Sequence, residues 1–270
     1  MPGGNANTFQ GRPSGFQTSG ETEATILVKA LPQVGEKHGE TVCVAAIDAY
    51  RNWLRLYPIA FRQLNDVQRF GRWQRIRFRW RLPKLNRDNR IESRNVVQES
   101  IVTVGELKPR DRAAFVEPLV VSSTKREFEQ GRSLALIRPE APEFFYKHRE
   151  SDAIEERRQK YERLLASPDM FGARNIIPLE PAPYDFFYRY RDADGSHECR
   201  CHDWEIEQTF MNWRRKYGEE QTLRNMMQMF NDKYPRDGML LSMGTHSRYP
   251  DRWMIVGVLK VALTAEPPLI

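Results

Sequence analysis

Residues 75–82 read Arg-Ile-Arg-Phe-Arg-Trp-Arg-Leu. Basic and apolar positions alternate with a period of two, which predicts a strand with one buried and one wet face. Ile76, Phe78, Trp80 and Leu82 fall on the buried side, and Arg75, Arg77, Arg79 and Arg81 on the other. β-Branched and apolar runs predict earlier strands over 24–30, 41–47 and 53–57. The last two form a hairpin across Asp48–Asn52, and Pro58 ends it. A short helical turn is expected within 60–72 and a loop over 86–94. Residues 96–104 suit a strand or a short helix equally well. Pro109 opens a helix that runs to about Val120, followed by strands at 134–137 and 143–147.

Helical spacing dominates next. Ser151 or Asp152 caps a helix that runs to Ala166, with Ile154, Tyr161 and Leu165 as its apolar stripe. An aromatic strand over 184–191 and a turn at Asp192–Ser196 lead to a helix from Asp203 to Tyr217. Its stripe is Ile206, Phe210, Trp213 and Tyr217. Gly218 interrupts, and a second helix over 219–233 carries Leu223, Met226, Met227 and Phe230. That Met-rich stripe reads as core rather than as a binding groove. Strands at 239–245 and 253–263 close the chain. The expected class is α+β: a mostly antiparallel β-sheet N-terminal part, then a second part of two helices flanked by strands. The divisions expected are a disordered polar arm over 1–22, a β-rich domain over 23–167 carrying the basic strand, and an α+β part over 168–270. The Pro-containing connector 168–183 marks the boundary.

Charge sharpens the picture. The 270 residues carry 42 Lys and Arg against 36 Asp and Glu, a formal net of +6. Residues 69–94 hold ten basic residues and two acidic ones, +8, so the rest of the chain sums to −2. One short element is therefore strongly basic in an otherwise near-neutral protein. Alternate residues of a strand lie about 6.6–6.8 Å apart. Successive phosphates of an extended nucleic-acid strand are separated by about 6–7 Å, so Arg72, Arg75, Arg77, Arg79 and Arg81 are the expected nucleic-acid-binding residues. Arg suits phosphate oxygens through its planar fork. Trp53, Tyr57 or Trp73 would stack on bases if exposed. The plainer reading is a solvated face paired with carboxylates on a neighbouring strand. An acidic protein partner would use the same face.

A second constellation lies at His197-Glu198-Cys199-Arg200-Cys201-His202-Asp203-Trp204-Glu205. His197, Cys199, Cys201 and His202 are four metal-ligand types within six residues, and zinc accepts such nitrogens and sulfurs. A metal-assisted hydrolase or nuclease centred there is the alternative function, with His38, Cys43 or His246 as a further ligand. Structural zinc sites, however, come as two spaced pairs. The plainer reading is two small thiols at a strand-to-helix corner, with Asp203 as the helix cap. No cofactor is expected otherwise. The chain holds no phosphate-binding Gly-x-x-x-x-Gly-Lys-(Ser/Thr) loop, no Gly-x-Gly-x-x-Gly and no Gly-x-Ser-x-Gly elbow. Pro250-Asp251 and Lys260 suggest a nuclease pattern, but Val258 stands where that pattern needs an acid. Three cysteines make no disulfide framework, and no secretory leader or apolar run of membrane-spanning length is visible. A cytoplasmic location without membrane contact is expected.

Several phrases recur together: Glu40-Thr41-Val42-Cys43-Val44-Ala45, Trp53-Leu54-Arg55-Leu56-Tyr57-Pro58-Ile59 with Phe61-Arg62, Trp73-Gln74-Arg75-Ile76 after Phe70, Asp203-Trp204-Glu205 after the Cys/His run, and Met243-Gly244-Thr245. With them the chain, from about residue 24 onward, resembles a family of uncharacterised bacterial proteins associated with mobile or accessory genes. The resemblance implies no catalytic residue. The family pattern separates its second cysteine from its histidine, whereas Cys201 and His202 are adjacent here.

Overall fold

A computed structural model describes residues 17–35, 38–166, 177–246 and 249–262. Its first unit is a barrel. Strands β1 (Ser19–Lys29), β3 (Gly39–Asp48), β4 (Trp53–Ile59), β5 (Gln74–Arg81) and β6 (Ser93–Glu106) follow one another around it in the order β1-β5-β6-β4-β3, and β3 returns to β1. All pairs are antiparallel except β4 with β6. A short strand, β2 (Gln33–Gly35), adds to the free edge of β3. Five Greek-key strands closed by one parallel pair match the oligonucleotide/oligosaccharide-binding barrel in architecture.

The alternation explains the closure. Ala24, Ile26, Val42, Val44, Ala46, Leu54, Leu56, Ile76, Phe78 and Trp80 all point inward and form one buried cluster. Asp48 turns the β3–β4 hairpin by accepting from Tyr50 N at 2.9 Å and Asn52 N at 2.8 Å. Pro58 does not end β4: the strand continues to Ile59, and the ladder shifts register between Val42 and Val44 beside it. β6 resisted a period-two reading because two register shifts against β5 break its alternation. β1 begins at Ser19, inside the arm expected over 1–22; residues 1–16 lie outside the described residues.

After α1 (Pro109–Val116) the chain builds a second unit. Short β7 (Val120–Val121) pairs with β8 (Leu134–Ile137), and the six-residue helix α2 (Thr124–Glu129) lies between them, capped by the Ser123 hydroxyl. β8 joins β12 (Met239–His246) and β13 (Tyr249–Lys260) in one sheet. A second sheet holds β9 (Glu140–His148), β10 (Tyr184–Asp192) and β11 (Gly195–Arg200). Helix α3 (Ser151–Ala166) buries Tyr161 and Leu164, while the expected Leu165 is exposed. Helices α4 (Trp204–Tyr217) and α5 (Glu219–Gln228), with the π-helical turn Met229–Lys233 that follows, bring Phe210, Met226 and Phe230 onto Phe144, Tyr188 and Met243. A division at 168 is therefore corrected. β9 pairs with β10 and β8 with β12 across it, so proline content marked a connector inside one unit.

The two units share a third apolar cluster. Leu27, Val28, Ala45, Ile47 and Trp73 of the barrel pack on Leu134, Leu136, Leu240, Val256 and Leu259. The second unit thus covers the outer side of β3 and of the later half of β1. The outer side of β5 stays in water. Among the described residues no helix is long and apolar enough to cross a membrane.

Candidate nucleic-acid interface

β5 carries the alternation read from its residues. Ile76 and Phe78 are fully buried and Trp80 nearly so, while Arg75, Arg77, Arg79 and Arg81 are exposed. β1 and β6 flank the row. Directly paired residues share a face. On β1 the partners are Ser19 of Arg81, Glu21 of Arg79, Glu23 of Arg77 and Thr25 of Arg75. On β6 they are Asn95 of Arg81, Val97 of Arg79, Val102 of Arg77 and Gly105 of Arg75. The Arg75 guanidinium drapes over Gly105, where a Cβ would meet Nη2 at 3.1 Å.

The row is only partly answered by the protein's own acids. Arg77 Nε donates to Glu23 Oε1 at 3.0 Å, with the two side chains 52% and 42% exposed. Such a wet pair contributes about 0–1 kcal/mol and yields readily to a competing anion. Among the described residues, Arg75, Arg79 and Arg81 have no carboxylate within ion-pair distance. Lys84 and Arg87, exposed in the β5–β6 loop, continue positive charge past Arg81.

Arg72 does not belong to this row. It precedes β5, and its side chain is 13% exposed. Nη1 donates to Val258 O at 2.6 Å, and Nη2 meets Asp203 Oδ2 at 3.1 Å and Glu205 Oε2 at 3.0 Å. Burial alone would weaken its charge, but the two carboxylates outweigh that and hold its pKa above the ordinary value. Arg90 is likewise turned inward: it grips Asp88 through two nitrogens and donates to Thr245 O at 2.7 Å. Both are struts between the units. Of the aromatics expected to stack on bases, Trp73 is buried at the unit boundary and Trp53 packs against the same cluster. Tyr57, 40% exposed, receives the Thr41 hydroxyl at 3.5 Å.

The unit boundary also holds a polar network that sequence reasoning missed. Buried Glu92 accepts from Ser133 N at 2.7 Å and Ser133 Oγ at 2.9 Å. Buried Arg55 donates to Ser133 O at 2.7 Å and to Cys43 Sγ at 3.7 Å. Residues 41 and 78 positions apart meet here, a separation that no local pattern reveals.

The Cys/His run does not converge. His197 and Cys199 share one face of β11, where His197 Nε2 lies 2.7 Å from Asp192 Oδ1 and Cys199 Sγ lies 3.8 Å from the Tyr190 hydroxyl. The chain then bends. Cys201 N donates to Phe186 O and His202 N to Ile255 O, which carries these two residues into the seam between the sheets. Among the described residues, no group of three or more His, Cys, Asp or Glu is placed to hold a metal ion. Desolvation raises both thiols, Cys201 strongly, away from the thiolate a metal needs. Desolvation, with Arg200 beside it, pushes His202 down to about 4. Asp203 caps α4 by accepting from Glu205 N at 2.9 Å, as its position before the helix predicts.

No curated protein matches the chain. Among solved structures, one described as "Molecular basis for abrogation of activation of pro-inflammatory cytokines" aligns over 70% of this chain and 80% of its own, with 9% identity and a TM-score of 0.31. That likeness is too low to bear on fold or function. Residues 20–118, the barrel with α1, match the model of a domain of unknown function, DUF8758. Residues 119–266, more than half of the chain, match a second domain of unknown function, DUF8757, whose start agrees with the onset of the second unit. The chain therefore belongs to the DUF8757 family, preceded by a DUF8758 barrel.

Proposed function

We propose that this protein binds nucleic acid along the outer face of β5, with Arg75, Arg77, Arg79 and Arg81 on successive phosphates. The observation that carries the reading is the row itself. Four arginine side chains leave the strand at alternate positions about 6.6–6.8 Å apart, and three of them lack a carboxylate partner among the described residues. Like charges held in line raise the local potential and favour a linear polyanion. The barrel architecture agrees with this only by analogy. The analogy also has a limit: the outer side of β3, which lies in the surface such barrels use, is covered here by the second unit.

The test is a binding titration with fluorescent single-stranded DNA, duplex DNA and RNA. Arg79→Ala/Arg81→Ala should weaken binding at least tenfold at about 0.1 M salt, with an unchanged Tm. Unaltered affinity in that variant would discard this location. An acidic protein partner is the second reading, favoured by Glu23, whose carboxylate already sits on Arg77. Affinity for an acidic polypeptide with none for any nucleic acid would select it.

A further inference from the structure

We infer that the ligand of this face is a single strand, laid with its phosphates on the arginine row and its sugars and bases toward β6. The inference rests on the reading above and adds the class and orientation of the ligand.

The two flanks of the row differ in chemistry. Toward β1 stand Glu21 and Glu23, level with Arg79 and Arg77. Toward β6 stand Val97 and Val102, level with the same two arginines, with the exposed Glu99 in the bulge between them, and Val102 is 45% exposed. Adjacent strands are about 4.7–4.9 Å apart, so each flank lies within reach of whatever the arginines hold. A phosphodiester chain seated on the arginines has an anionic edge and a less polar edge of sugar and base. The anionic edge is repelled by the carboxylates, and the other edge covers the valines and removes apolar surface from water.

The same asymmetry disfavours a duplex. Its second backbone lies across a groove about 6 Å or 12 Å wide, and a single basic row offers that backbone no partner. On one side it would meet Glu21 and Glu23, and on the other the valines. Lys84 and Arg87 add exposed positive charge in the loop that follows Arg81. No exposed aromatic is paired with the row on either flank, so contact with the bases is through aliphatic surface and carries little base preference.

The experiment uses the full chain with a fluorescent oligo-dT of 12 nucleotides, the same oligomer bearing 4-thiothymine, and a 12-base-pair duplex. The single strand should bind at least tenfold more tightly than the duplex at equal salt. Photocrosslinks from 4-thiothymine should fall on the peptide containing Val97 and Val102. Val102→Glu should weaken oligo-dT binding at least fivefold and Glu23→Gln should tighten it about twofold; Val102 is exposed and Glu23 half-exposed, and Tm reports that each variant folds. Equal or tighter duplex binding that still needs Arg79 and Arg81, or crosslinks on β1, would overturn this orientation and leave the phosphate row standing. Absence of binding to every nucleic acid would overturn both.

Discussion

Asp203 Oδ2 accepts from Arg72 Nη2 at 3.1 Å and from Val258 N at 2.8 Å, so one buried carboxylate ties the approach to β5, the start of α4 and strand β13. Removing the guanidinium leaves that carboxylate buried with its charge uncompensated. Arg72→Ala should cost about 3–5 kcal/mol, while Arg77→Ala, whose pair is exposed, should cost less than about 1 kcal/mol. Urea denaturation of the two variants separates the strut from the surface row. Equal losses would contradict the distinction.

Gly257 stands against Val28, and a Cβ at position 257 would lie 2.2 Å from Val28 Cγ2. The glycine lets β13 approach β1 closely. Gly257→Ala should destabilise by about 1–3 kcal/mol through overpacking. Adding Val28→Ala should recover part of that loss, a coupling that a double-mutant cycle in thermal denaturation measures.

His202 titrates near 4 in the folded chain, below the ordinary value of 6.5. Between these two values the unfolded chain binds the extra proton, so stability rises with pH through that window and falls as pH drops from 6.5 towards 4. Allowing for the water that reaches a half-buried ring, the effect is about 2 kcal/mol. His202→Gln should flatten the stability profile between pH 4 and 6.5 relative to the parent. Parallel profiles would exclude the ring as the source.

Glu92 receives both the backbone and the hydroxyl of Ser133, while Arg55 holds the carbonyl of the same residue. Glu92→Ala strands buried donors at the unit boundary and should cost about 2–4 kcal/mol. Scanning calorimetry should show a lower Tm. An unchanged Tm would show that water replaces the carboxylate without loss.

What was legible in the chain followed from how far each pattern reaches. The β5 alternation needs only neighbouring residues, so the strand and its wet face emerged at once. The α4 start was equally local, since Asp203 precedes the helix it caps. Proximity in sequence places Arg72 with the row, yet its partner lies 131 residues away, and only the tertiary fold turns it inward. Proline content points to a division near 168, whereas strand pairing, which is non-local, runs across it. Crowding of His197, Cys199, Cys201 and His202 in sequence suggested a shared ion, but strand alternation and the bend after Arg200 send them to different places.

The most direct test of the central claim is the slope of log K against log salt for a single-stranded oligomer. Four neutralised phosphates predict a slope near about −2.8, falling to about −1.4 in Arg79→Ala/Arg81→Ala. A slope that is the same in parent and variant would contradict the claim that the β5 arginines hold the phosphates.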